Sequence, residues 1–148
     1  MKVYFDACAL NRLTDDHDQS RIYDEAKAVE RFLGLIASGR AELVASTALR
    51  LELSRNRNLS KRSDSLKLLS YAGALFHPDG STLARATHFE RLGYGAFDAL
   101  HLACAEQTRA DILLTTDDRF CKLSLRRVGN ATVEALNPLN WFGKGGLP

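Results

Sequence analysis

The chain has 148 residues, 45% hydrophobic and 26% charged, the balance of one ordinary globular domain and not of a disordered tail or a membrane bundle. A chain of this length buries roughly 68–70% of its unfolded surface, so its core needs no covalent staples. The formal net charge of +2 excludes a generally polybasic chain, and any surface for polyanions must come from local clustering.

Cys8, Cys104 and Cys121 are odd in number and widely spaced, which argues against a disulfide framework or a zinc site and fits a reducing compartment. The N-terminus lacks the basic–apolar–small order of a leader peptide. No apolar run approaches the ~18–20 residues that cross a bilayer, so a cytoplasmic location without membrane association is expected.

In chain order, Lys2 to Phe5 is a short β-prone run that ends in Asp6. From Arg21 the spacing becomes helical, with Ile22, Ala26, Val29, Leu33 and Ile36 on one stripe and Gly39 as the stop. Residues 42–45 predict a short buried strand, followed by a helix that Ser46 or Thr47 can cap and that carries Leu49, Glu52 and Leu53. A further helix is predicted over about 60–71, stopping near Gly73. Ser81 can cap another that holds Leu83, Phe89 and Leu92 and closes at Gly93. Residues 97–105 are apolar almost all round, the mark of a buried helix. Residues 112–116 predict the clearest strand, 117–126 a helix, 131–135 a last strand, and 141–148 a loosely ordered tail. Strands alternating with helices predict a single α/β domain over 1–148, with its core at about 2–136. The expected architecture is a three-layer α/β/α sandwich around a mostly parallel sheet of four to five strands. Ligands of such folds gather beyond the carboxyl ends of the strands, which directs attention to Asp6 and Asp117.

Four acids sit in apolar surroundings. Asp6 follows Val-Tyr-Phe, Glu52 lies between two leucines, Asp98 lies between Phe97 and Ala99-Leu100, and Asp117 ends Ile-Leu-Leu-Thr-Thr. A buried carboxylate is costly unless paired, hydrogen-bonded or bound to a cation, and several together suit hard divalent ions such as Mg²⁺ or Mn²⁺. Each acid also has an ordinary explanation. Asp6 fits a strand-end turn, Glu52 an ion pair with Arg55, Asp98 a response to the helix dipole, and Asp117 a helix cap. Spacing alone does not bring the four together.

Three segments resemble the PIN-domain family, in particular its VapC-like nucleases of toxin–antitoxin pairs. They are Val-Tyr-Phe-Asp-Ala-Cys-Ala-Leu-Asn from Val3 to Asn11, Ser-Thr-Ala-Leu-Arg-Leu-Glu-Leu from Ser46 to Leu53, and Asp-Ala-Leu-His-Leu-Ala from Asp98, followed by Ile-Leu-Leu-Thr-Thr-Asp ending at Asp117. The likeness runs from residue 3 to about 136. It implies that Asp6, Glu52, Asp98 and Asp117 form a catalytic metal site for Mg²⁺ or Mn²⁺, that the chain hydrolyses single-stranded RNA, that an antitoxin protein is its partner, and that it forms a homodimer. One departure is Cys8, which stands where many members carry a polar residue; Asn11 is the candidate replacement.

Around the acids, His101 lies one helical turn from Asp98 and is a candidate to orient it or to touch a phosphate. Thr115 shares a strand face with Asp117 and is a candidate to hold water. Arg50, Arg55, Arg57, Lys61 and Arg62 form a local basic excess suited to RNA phosphates, or equally a solvated helix face. Two other functions remain open from sequence: phosphotransfer with Asp6 as nucleophile, and a non-catalytic module that binds RNA or protein.

Overall fold

The computed structural model describes residues 1–143. Its sheet comprises β1 (Lys2–Phe5), β2 (Glu42–Val44), β3 (Ile112–Leu114) and β4 (Ala135–Leu136). They run parallel in the order β2-β1-β3-β4, so every strand ends at the same edge. The register pairs Tyr4 with Val44 on one side and with Leu113 on the other.

Side chains alternate across a strand, and β1 divides its residues between two cores accordingly. Val3 and Phe5 join Val29, Phe32, Leu49 and Leu53 on one face, while Tyr4 joins Phe89, Leu102 and Phe120 on the other. With both faces covered, β1 and β3 have no polar side to spare, which explains their continuous apolar runs. The result is the expected α/β/α sandwich, all parallel with four strands.

The helices are α1 (Ala7–Asn11), α2 (Ser20–Ala37), α3 (Thr47–Ser54), α4 (Leu59–Leu68), α5 (Gly80–Arg91), α6 (Ala96–Gln107), α7 (Asp118–Leu125) and α8 (Pro138–Gly143). Gly39 and Gly93 follow α2 and α5 with φ of 76° and 115°, a left-handed conformation that favours glycine at helix ends. Ser46 caps α3, its Oγ accepting from the Leu49 amide at 3.1 Å.

Several elements differ from expectation. The cap of α5 is Asp79, which forms a reciprocal box with Thr82, in place of Ser81. The helix expected over 60–71 tightens after Leu68 into a 3-10 turn, Leu69–Tyr71. The last strand starts at Ala135, where it was expected to end, and β3 stops at Leu114, leaving Thr115 and Thr116 free to turn. The buried stripe of α2 includes Glu25 and Phe32, whereas Leu33 is only partly covered. Trp141 and Phe142, expected in a loose tail, belong to α8, where their rings lie 6.2 and 4.8 Å from that of Phe32. Two aromatics against a core ring outweigh the breaking tendency of the glycines that follow. The rest of that expected tail, 144–148, lies outside the described residues.

Candidate acidic site

The common edge at which the strands end sets the stage for the acids. Asp6 directly follows β1, and its amide donates to the Leu114 carbonyl of the neighbouring strand at 3.1 Å. Asp117 lies just beyond β3 as the cap of α7, accepting from the Phe120 amide at 3.1 Å. Glu52 projects from α3, and Asp98 stands in the first turn of α6. Both caps do double duty: the geometry that satisfies a helix N-terminus also holds the carboxylate at the edge of the sheet.

Asp6 is 2% exposed. Its Oδ1 accepts from the Ala9 amide at 2.9 Å, and the Cys8 thiol lies 3.0 and 3.1 Å from its two oxygens. Burial raises its pKa, with partial relief from Thr115, Cys8 and the Ala9 amide. Asp98 is raised to about 7, first by burial and then by the charges of Asp6 and Asp117; His101 opposes the shift and Glu52 adds to it. Asp98 is therefore within electrostatic reach of the three other acids. Only the folded chain brings residues 6, 52 and 117 into the field of Asp98.

That crowding has a measurable consequence. A carboxylate whose folded pKa exceeds its ordinary value of about 4 destabilises the fold at high pH and not at low pH. The penalty is absent below about pH 4, grows between about 4 and 7, and is complete above that. Asp98→Asn removes it. In EDTA, urea unfolding at pH 8 is expected to show the variant more stable than wild type by about 1–2 kcal/mol, allowing for the screening of a partly exposed group. The two proteins are expected to converge near pH 4, and equal stability at both pH values would contradict the crowding.

The supporting residues fall differently from expectation. His101 is fully buried, and its partners are Glu52, 2.7 Å from Nε2, and Tyr4, 2.8 Å from Nδ1. Its hydrogen bonds therefore go to Glu52, presented from α3, and to Tyr4, and not to Asp98 on its own helix. By the same pairing, Glu52 is joined to His101 and not to Arg55. Asn11 Oδ1 accepts from the Ser65 hydroxyl at 2.9 Å, while the polar neighbours of Asp6 are Ala9, Cys8 and Thr115. Thr115 Oγ1 accepts from the Asp117 amide at 3.1 Å and lies 3.3 Å from the Cys8 sulfur, so it links the two strand-end acids. Asp118, beside Asp117, is drawn away into a two-pronged pair with Arg21 at 2.9 and 2.6 Å.

Arg50, Arg55 and Arg57 are exposed, and Lys61 and Arg62 are partly so. Among the described residues none of the five forms an ion pair; Arg55 lies 5.2 Å over the Phe97 ring, next to Asp98 in sequence. Tyr94 is buried, with its hydroxyl donated to the Val128 carbonyl. The sequence reading missed Tyr4 and Ser46 as polar members of the site, and it missed the buried Glu25.

Among the described residues, no group of three or more His, Cys, Asp or Glu side chains is arranged to hold a metal ion as they stand. The donor chemistry nevertheless suits a hard divalent cation. The acids supply oxygen only, and the upward shift of Asp98, caused first by burial and then by the neighbouring acids, marks a place where a nearby cation is favourable. Among the described residues no helix is long and apolar enough to cross a membrane.

A four-stranded, all-parallel sheet flanked by helices is the arrangement of a PIN domain, and the PIN domain family model matches residues 3–125; the chain belongs to that family. Among solved structures it is similar to a chain in the crystal structure of VapBC2 from Rickettsia felis bound to a DNA fragment from their promoter. That alignment has a TM-score of 0.57 and 16% identity, covering 91% of this chain and 98% of the other. No curated protein sequence matches significantly.

Proposed function

We propose that this chain is an endoribonuclease that hydrolyses phosphodiester bonds of single-stranded RNA with Mg²⁺ or Mn²⁺, and that it is the toxin half of a toxin–antitoxin pair. The observation that carries the reading is a PIN domain whose strands all end at one edge, with Asp6 and Asp117 directly beyond β1 and β3 and Asp98 within electrostatic reach of both and of Glu52. Members of the family are usually nucleases. Likeness to a chain from a VapBC complex supports an antitoxin partner, with a homodimer and a cytoplasmic location following from the same reading.

In this reading the four acids hold the cation. When bound, it supplies positive charge opposite the scissile phosphate and acidifies water in its shell. The chain itself does the positioning. Asp6 and Asp117 are fixed by the helix caps they form, Thr115 ties the two strand ends together, and His101 holds one oxygen of Glu52. Arg50, Arg55, Arg57, Lys61 and Arg62, none of which forms an ion pair among the described residues, supply the phosphate contacts that hold a strand across the edge. Phosphotransfer through Asp6 is a poorer account, because the residue two positions on is Cys8 and not a second acid, and its thiol lies against both oxygens of Asp6.

The purified chain incubated with an end-labelled single-stranded RNA is expected to cut it with Mn²⁺ and to stop on addition of EDTA. Intact RNA under both conditions, from a folded protein that also fails to bind Mn²⁺, would leave a non-catalytic binding module as the better description.

A further inference from the structure

His101 is the one histidine with no exposure, and it stands between two polar systems that the sequence separates widely. On one side Nε2 lies 2.7 Å from Glu52 Oε1; on the other Nδ1 lies 2.8 Å from Tyr4 Oη, which lies 2.7 Å from Ser46 Oγ. Ser46 Oγ in turn accepts from the Leu49 amide at 3.1 Å, at the start of the helix that carries Glu52. The chain of bonds thus leaves α3 at its cap, crosses β1 and α6, and returns to α3 at Glu52.

Its polarity follows from donor and acceptor chemistry. The ionised Glu52 carboxylate can only accept, so Nε2 carries hydrogen. A neutral ring then accepts at Nδ1 from the Tyr4 hydroxyl, whose oxygen accepts from Ser46 O–H, whose oxygen accepts from the Leu49 N–H. Every donor finds an acceptor and the loop closes without an unsatisfied atom, as a buried network requires. The acceptor that satisfies the buried Nε2–H is a partly exposed carboxylate. Here the packed ring reaches outward, and among the described residues Oε2 of Glu52 has no hydrogen-bond partner.

We propose that His101, backed by Tyr4 and Ser46, is the positioning residue of Glu52: it fixes Oε1 and leaves Oε2 as the oxygen presented to a divalent cation. The inference rests on the metal-dependent reading above. It assigns to a buried ring the orienting role that a hydrogen bond behind a ligand ordinarily plays, one that typically amounts to about 10–100-fold in metal affinity.

The test uses the full chain in two states. Without metal, imidazole ¹⁵N NMR of His101 is expected to show a protonated Nε2; a bare Nε2 overturns the proposal. With metal, Mn²⁺ titration followed by electron paramagnetic resonance is expected to show about 10–100-fold weaker binding in His101→Leu. His101→Gln, whose amide keeps one donor and one acceptor, is expected to recover most of the loss. Tyr4→Phe retains the packed ring and loses only the hydroxyl, so it is expected to weaken Mn²⁺ binding even if His101→Leu fails to fold. In RNA cleavage the loss belongs in kcat, with KM little changed, because the basic residues are untouched. Wild-type affinity in folded His101→Leu or Tyr4→Phe overturns the positioning role alone. Absence of Mn²⁺ binding by wild type overturns the metal-dependent reading and, with it, the role given to Glu52.

Discussion

Asp98→Ala is expected to lower metal-dependent RNA cleavage by at least about 10²–10³-fold, the loss typical of removing one group that stabilises developing charge in a site. The fold is expected to remain, because Asp98 anchors no helix cap and its ionised form is held against burial and repulsion. Asp98→Asn separates charge from shape: it keeps the size of the side chain and is expected to lose activity to a similar degree while gaining stability in EDTA. Asp118→Ala is the matched control. Asp118 neighbours Asp117 but is exposed and committed to Arg21, so its loss is expected to leave cleavage within a few-fold of wild type. Initial rates on one labelled RNA, with circular dichroism to verify folding, check all three. Full activity in folded Asp98→Ala would remove Asp98 from the site.

The largest stability effect is expected far from that carboxylate, at Glu25. This side chain is fully buried in α2, yet it accepts from Arg12 at 2.9 Å, from Arg21 at 3.3 Å and from Asn137 beyond β4. Removing one partner from a buried ionic network costs roughly 3–5 kcal/mol, mainly because the remaining groups lose their compensation. Arg21 is half exposed and can rehydrate, so Glu25→Ala is expected near the lower end, about 3 kcal/mol by urea denaturation at pH 7. Breaking the exposed Arg21–Asp118 pair is expected to cost under about 1 kcal/mol. A loss at Glu25 no larger than that at Asp118 would show that the network is structurally dispensable. Because Arg21 also reaches the Thr116 carbonyl and Asp118, the network braces the turn between β3 and α7 that carries Asp117.

The contrast between these two sites shows which features a sequence can disclose. Asp6 and Asp117 were legible because each ends an apolar strand, and parallel strands bring such ends to one edge. Glu52 and Asp98 were legible as acids in apolar surroundings, although their meeting depended on likeness to a family. The partners of Glu52 were not legible. Helical spacing pointed to Arg55 and placed His101 beside Asp98, but the bond that formed spans 49 residues between two packed helices. Tyr4 was hidden for a related reason: in a strand buried on both faces its phenol ring reads as core, and only the folded chain shows its hydroxyl meeting His101 and Ser46. Glu25 was concealed beside Ala26 on an apolar stripe, with Asn137 lying 112 residues away. Local periodicity reports which face is covered; it carries no information about which polar group from a distant segment will meet that face. The helix α8 escaped for the opposite reason, since the glycine-rich sequence after Trp141 suggested a loose end, whereas Trp141 and Phe142 pack against Phe32.

Anomalous diffraction from crystals soaked in Mn²⁺ tests the shared-site claim most directly. The account predicts one strong peak beyond the carboxyl ends of β1 and β3, with oxygens of Asp6, Asp98 and Asp117 turned toward it and Glu52 close by, and its loss in Asp98→Ala. Manganese bound elsewhere on a folded chain, or a peak that persists unchanged without the Asp98 carboxylate, would contradict it.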